Sequence, residues 1–132
     1  MQITYLIVRF GASGDHAWVR EPLVMEAGDF RFEVPVGFKT DFASIPQAVR
    51  SLIPQLGKWT AGAVAHDYMY WCGESLGFTQ KKADDTFLKL MEDAGVKWWR
   101  RQAIHKALRI GGWCAWNKHR KDGHTFDNAL NQ

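Results

Sequence analysis

His66-Asp67-Tyr68-Met69-Tyr70 is the most informative segment of the sequence. It lies in a helix predicted from Gly57 to about Trp71. Helical spacing places His66 on one face with mainly apolar neighbours, namely Trp59, Gly62, Ala63, Met69 and Tyr70. This pattern predicts a histidine that points into the core beside a carboxylate on the same turn. Buried charge is costly unless it is paired, so a partner is expected elsewhere in the chain.

The next predicted helix supplies that partner. It begins after Thr79, a suitable capping residue, and ends near Asp93. Asp84 belongs to its apolar stripe, with Phe87, Leu88 and Met91. Asp85 instead lies four residues from each of two lysines, Lys81 and Lys89, as surface ion-pair residues do. Because the connection between the two helices is short, they are expected to be antiparallel neighbours. We therefore predict that Asp84 meets His66 and that Asp85 faces solvent.

An inward histidine paired with an aspartate has two interpretations. A carboxylate that accepts from one imidazole nitrogen fixes the tautomer, and the other nitrogen can then take a proton from water. In that case His66 and Asp84 are catalytic residues of a hydrolase. The same pair can instead be a structural staple between two helices. Tyr68 and Tyr70 are interpreted as packing residues with polar tips.

The segment from Gly37 to Pro46 links the strands to the helices. Turn and cap chemistry explains much of it, since Asp41 can close a turn and Ser44 can cap a short helix from Pro46 to about Ile53. The functional alternative places both side chains at the mouth of the His66 site. There Ser44 could be a nucleophile or hydrogen-bond donor, and Asp41 a metal ligand. No GxSxG elbow is present in the sequence.

The remaining pattern predicts an α+β fold, with a small N-terminal antiparallel sheet followed by three main helices. Strands are predicted at residues 3–10, 18–25 and 30–34, the second weakened by Pro22. The third main helix is predicted from Trp98 to about Ile110, ended by Gly111 and Gly112. We expect one α+β domain over residues 1–121 and a polar, mobile tail over residues 122–132.

The cysteine content and the absence of long apolar runs indicate the compartment in which the chain is expected to fold. The chain has 132 residues and two cysteines, so a disulfide framework is not expected. No signal peptide is evident, and no apolar run approaches the roughly 20 residues of a membrane span. We expect synthesis and folding in the cytoplasm.

Charge is distributed unevenly along the chain. Residues 97–121 carry eight Lys or Arg and no acid, whereas residues 1–96 carry nine basic and twelve acidic residues. Several cations form a predicted ridge for an anion or a partner, namely Lys97, Arg100, Arg101, His105 and Arg109. Tryptophans flank this ridge, which suits a lipid interface or, less well, a nucleic-acid backbone. The interpretation we favour is a solvated basic face over a Trp-containing core, with an acidic protein as neighbour.

The chain resembles an uncharacterised family of small proteins encoded by tailed phages and prophages. The resemblance covers roughly residues 30–112 and rests on three motifs in order: VPxGFxTDxASIP at residues 34–46, HDxxY at residues 66–70 and ADxxF at residues 83–87. It implies a phage origin, synthesis in a host cytoplasm, and virion proteins as partners if the chain is packaged. It implies no reaction.

A looser resemblance is to phospholipase A2, which also carries His-Asp-x-x-Tyr on one helix and an Asp on an antiparallel helix. The resemblance implies that His66 activates water, that Asp84 orients it and that Asp67 binds a divalent metal. The chain lacks that family's many disulfides and its Gly-rich calcium loop.

Two hypotheses follow. The first is a hydrolase that acts on an ester or amide in lipid or the cell envelope. The second is a non-catalytic virion component or assembly factor with a structural His/Asp cluster. An exposed His66 in a cleft would favour the first, and a sealed His66 with a large contact surface would favour the second.

Overall fold

The computed structural model describes residues 2, 4, 6–13, 16–40 and 59–130. Five short strands come first: β1 Val8–Phe10, β2 Ala17–Val19, β3 Leu23–Ala27, β4 Phe30–Val34 and β5 Lys39–Thr40. Three helices follow: α1 Thr60–Cys72, α2 Gln80–Asp93 and α3 Trp98–Lys121. The predicted α+β arrangement is confirmed. The helix predicted from Pro46 to Ile53 lies outside the described residues.

The strands form two small antiparallel sheets. One has the order β1-β2-β5, and the other is the β3–β4 hairpin. The prediction of a single strand over residues 18–25 is wrong, because the chain leaves the first sheet after Val19 and enters the second at Leu23. Pro22 lies in that break, where its missing N–H removes no ladder hydrogen bond. The prediction of a strand at residues 30–34 is confirmed.

The first two helices begin and end close to their predicted bounds. The Thr79 hydroxyl caps α2 by accepting from the Lys82 backbone N–H at 3.1 Å. Almost every residue of α1 is buried, because the helix lies between the sheets and the other two helices.

The prediction that Gly111 and Gly112 end the third helix is wrong, since α3 continues for nine more residues to Lys121. Gly112 faces Tyr70 of α1, and a Cβ atom at this position would lie 2.5 Å from the Tyr70 hydroxyl oxygen. The glycine therefore permits close approach of two helices rather than a helix end.

Residues 124–128 of the predicted polar tail fold back onto α1. The Trp71 indole N–H donates to the Thr125 carbonyl at 3.1 Å and to the Asn128 side chain at 2.9 Å. The His124 ring stacks on Trp71 at 3.6 Å, and Ala129 is buried. These contacts attach the described part of the tail, up to residue 130, to the domain.

The two cysteines are unpaired, with Cys72 buried and Cys114 exposed, as the cysteine count predicted. Within the described ranges, no helix combines the length and the apolar character needed to cross a bilayer.

Candidate functional site

The candidate site lies between α1 and α2, which pack against each other. Gly62 of α1 makes the approach possible, because a Cβ atom there would lie 3.1 Å from the Phe87 ring of α2. One turn further along α1, His66 contacts the same ring, with ring centroids 5.1 Å apart. The small residues of α1 thus bring the histidine against α2.

The predicted pairing of His66 with Asp84 is observed. His66 Nε2 lies 2.8 Å from Asp84 Oδ1, and both side chains are 0% exposed. Asp85, the neighbouring acid, is 42% exposed, forms an ion pair with Lys81 and shares a hydrogen bond with His105. The prediction that Asp84 faces the core and Asp85 the surface is therefore confirmed.

Two further side chains bind the Asp84 carboxylate. The Tyr70 hydroxyl donates to Oδ1 at 2.7 Å, and Arg109 Nη1 donates to Oδ2 at 2.9 Å. Burial opposes the ionisation of Asp84, but the hydrogen bonds from His66, Tyr70 and Arg109 outweigh it and lower the pKa of Asp84 below its usual value. Burial and the adjacent Asp84 charge raise the pKa of Tyr70 far above its usual value, so the phenol stays a donor. Asp84 is therefore a carboxylate that only accepts.

Because Asp84 only accepts, the shared proton must sit on His66 Nε2, which donates to it. This arrangement fixes the imidazole tautomer and directs the other ring nitrogen, Nδ1, away from Asp84. This geometry fits a general base that is oriented by an acid. It fits equally well a buried hydrogen-bonded pair that only joins two helices.

The predicted basic ridge is only partly on the surface. Arg109 binds Asp84, His105 binds Asp85 at 2.8 Å, and Arg101 donates to the Val96 carbonyl at 2.9 Å. Arg100 places its guanidinium 5.2 Å from the Trp99 ring, and Lys97 is exposed. Arg109 and His105 therefore bind the two acids that the sequence singled out, Arg100 and Arg101 are partly buried, and Lys97 is the exposed member of the predicted ridge that binds neither acid.

Asp67, the predicted metal ligand, is buried next to β5, where its carboxylate accepts from the Thr40 hydroxyl. Across residues 6–13, 16–40 and 59–130, no group of three or more His, Cys, Asp or Glu is placed to hold a metal ion. Asp41, the second predicted ligand, and Ser44, the predicted nucleophile, lie outside the described residues. The described side chains therefore do not by themselves make a divalent-metal site.

Sequence reasoning missed the roles of Tyr70, Arg109 and Thr40. Tyr70 follows His66 by four residues and lies on the same helix face, so the spacing could have indicated that it shares the partner of His66. Its side chain was instead assigned to packing. Arg109 was assigned to a surface ridge. Thr40 directly precedes Asp41 in the segment from Gly37 to Pro46. No periodic pattern in the sequence indicates that its hydroxyl would contact Asp67.

A family model described as "Protein of unknown function (DUF1353)" matches residues 17–108, which include both members of the His66–Asp84 pair. No curated protein matches the chain. No solved structure matches it either.

Proposed function

The chain belongs to the DUF1353 family of proteins of unknown function, and we propose that it is a small phage-encoded hydrolase in which His66 is the general base and Asp84 orients it. The observation that carries the proposal is the 2.8 Å contact between His66 Nε2 and an Asp84 carboxylate that Tyr70 and Arg109 also hold. Four buried or half-buried polar groups at one point are a costly arrangement, which proteins often assemble for function.

The proposed reaction is water attack on an ester or amide carbonyl. His66 Nδ1 takes a proton from the water as its oxygen bonds to the carbonyl carbon. Asp84 stabilises the imidazolium that forms. The imidazolium then returns the proton to the departing alkoxide or amine as the carbon–oxygen or carbon–nitrogen bond breaks. If Ser44 reaches the imidazole, its hydroxyl would replace water as the nucleophile in a first step.

The proposed substrate is a lipid or a cell-envelope component. Its support is the basic, tryptophan-rich C-terminal helix, which suits an anionic substrate surface. Synthesis in a bacterial host cytoplasm follows from the phage resemblance and belongs to the same proposal. If a divalent metal takes part, Asp67 is the described residue that would contribute a carboxylate oxygen, with Asp41 as its proposed partner.

Full burial favours a second candidate function. His66 and Asp84 are both 0% exposed, so water reaches the imidazole only if neighbouring residues move. Arg109 already neutralises Asp84, as expected of a structural ion-pair network that joins three helices. In this alternative the protein is a non-catalytic virion component or assembly factor.

Turnover of purified variants tests the proposal. Wild-type protein is assayed on phospholipid, simple ester and peptidoglycan substrates, each with calcium, zinc or a chelator. We expect turnover on at least one substrate, its loss in His66→Gln, and its retention in Arg31→Gln, a change at an exposed position of β4.

Three outcomes would be decisive. Turnover that survives chelation would show that Asp67 is not needed as a metal ligand. The role of His66 as the base would be unaffected by that result. Turnover equal in His66→Gln and wild type would contradict the proposal. No wild-type turnover on any substrate, together with co-purification in phage particles, would establish the non-catalytic alternative.

A further inference from the structure

The face of α3 opposite the core exposes large apolar side chains. Trp99, Ile110 and Trp113 are 59%, 77% and 55% exposed. Helical spacing places them on one face with Ala103 and Lys106, which are also exposed. We call these five residues the Trp99–Trp113 stripe. At 1.5 Å per residue the stripe is about 21 Å long.

The stripe has a fixed position on the protein. The opposite face of α3 is anchored by buried residues, namely Ile104, Leu108, Gly112 and Trp116. Because the helix is held from behind, the stripe forms a protruding ridge rather than a groove. A protruding ridge can contact a flat surface along its whole length. A small molecule or a peptide terminus would need a pocket instead.

The charge around the stripe is positive. Residues 97–121 contain eight Lys or Arg and no acid. Lys106 lies within the stripe, Lys97 is exposed at the N-cap position directly before the helix, and the Arg100 guanidinium lies over the Trp99 ring at the edge of the stripe. An apolar ridge flanked by cations is complementary to a partner that has an anionic surface and an apolar interior.

We propose that the Trp99–Trp113 stripe binds the protein to an anionic lipid bilayer. A helix of this kind lies in the plane of the membrane, with its apolar residues at the boundary of headgroups and acyl chains. The two indoles would sit at headgroup depth, where tryptophan is enriched. Ile110 would enter the acyl region between them, and the lysines would contact lipid phosphates.

Other occupants fit the stripe less well. A second copy of the chain would bring two equally basic helices face to face, which costs electrostatic energy. A nucleic acid would use the cations for its phosphates, but it would leave Ile110, the most exposed apolar side chain of the stripe, without an apolar contact. An acidic protein would match the charge, yet it would need an apolar groove about as long as the stripe.

Membrane binding goes beyond the proposed hydrolysis and does not require it. The stripe contains no residue of the His66 site. If both proposals hold, the stripe brings the enzyme to a lipid substrate. A binding assay without turnover therefore tests this inference alone.

Vesicle flotation of the full chain tests the inference. The probes are vesicles of phosphatidylcholine alone and vesicles with equal parts of phosphatidylcholine and phosphatidylglycerol, at low and at physiological salt. We expect binding to the anionic vesicles only, weakened by salt because it depends on surface charge. Ile110→Asp should lower binding to the anionic vesicles at least about tenfold, because it removes the apolar side chain that would be buried in the bilayer.

Matched variants make the result specific. Leu76→Asp places the same charge at an exposed apolar position outside the stripe and should bind like wild type. Absent binding of wild type, or equal binding of wild type and Ile110→Asp, would overturn the inference. So would a dimer that Ile110→Asp disperses, or duplex DNA bound more tightly than the vesicles and unaffected by Ile110→Asp.

Discussion

Arg109 of α3 donates to Asp84 of α2 at 2.9 Å and thereby places a charge from the protein surface on the buried His–Asp pair. The arginine side chain is partly exposed, whereas the aspartate is sealed. Through Asp84, with His66 and Tyr70 on α1, all three helices meet at one carboxylate. The candidate site is therefore also a structural centre of the helical half, and changes to it should affect stability as well as any activity.

The first prediction compares the two adjacent acids. Asp84→Ala leaves the Arg109, His66 and Tyr70 polar groups without their shared acceptor, so it should lower the free energy of unfolding by about 3 kcal/mol. Asp85→Ala removes only partly exposed ion pairs and should cost at most about 1 kcal/mol. Urea unfolding of both variants measures the difference. Equal costs would mean that Asp84 is not the shared acceptor.

The second prediction concerns acid pH. The pKa of Asp84 is lower in the folded protein than in the unfolded chain, where it is about 3.9. Its contribution to stability is thus fully present above that unfolded value and is lost as the pH falls through the lower, folded value. The stability gap between wild type and Asp84→Asn should be constant near neutral pH and shrink below about pH 4. A gap that widens in acid would contradict the lowered pKa.

The third prediction concerns the glycine pair of α3. Gly112→Ala should lower the free energy of unfolding by about 1–3 kcal/mol, because the new methyl group would overlap the Tyr70 hydroxyl. Gly111→Ala, at the exposed neighbouring position, should raise it by up to about 1 kcal/mol by favouring the helix. Thermal unfolding of the two variants checks the signs. A stabilising Gly112→Ala would show that α1 and α3 are further apart than described.

The fourth prediction separates the two cysteines. Burial raises the pKa of the Cys72 thiol to about 11, and Cys114 is exposed. Under native conditions at mildly alkaline pH an alkylating reagent should label Cys114 first, with Cys72 reacting only after unfolding. Mass spectrometry of the digested protein measures both sites. Rapid double labelling would contradict the burial of Cys72.

The sequence predicted the elements whose signals are local. Periodic apolar positions, the Thr79 cap and the short connection were enough to place α1, α2 and the His66–Asp84 contact. The choice between Asp84 and Asp85 came from helical phase alone, because a one-residue shift turns a side chain by about 100° on a helix. These features need no knowledge of the rest of the fold.

Features that depend on tertiary contacts were not predicted. Gly111 and Gly112 favour a helix end on local grounds, yet packing against Tyr70 keeps α3 helical to Lys121. Arg109 has the pattern of a surface cation, and only the crossing of α3 over α2 brings it to Asp84. Helix propensity and charge pattern carry no information on which helix lies opposite.

In the proposed mechanism, Asp84 holds His66 with a proton on Nε2, so that Nδ1 can act as the base. Nitrogen-15 NMR of the imidazole at neutral pH, assigned by comparison with His66→Gln, measures this directly. We predict a proton on Nε2 that is donated to the Asp84 carboxylate, with this preference lost in Asp84→Asn. A proton on Nδ1 together with an unprotonated Nε2 would contradict this arrangement.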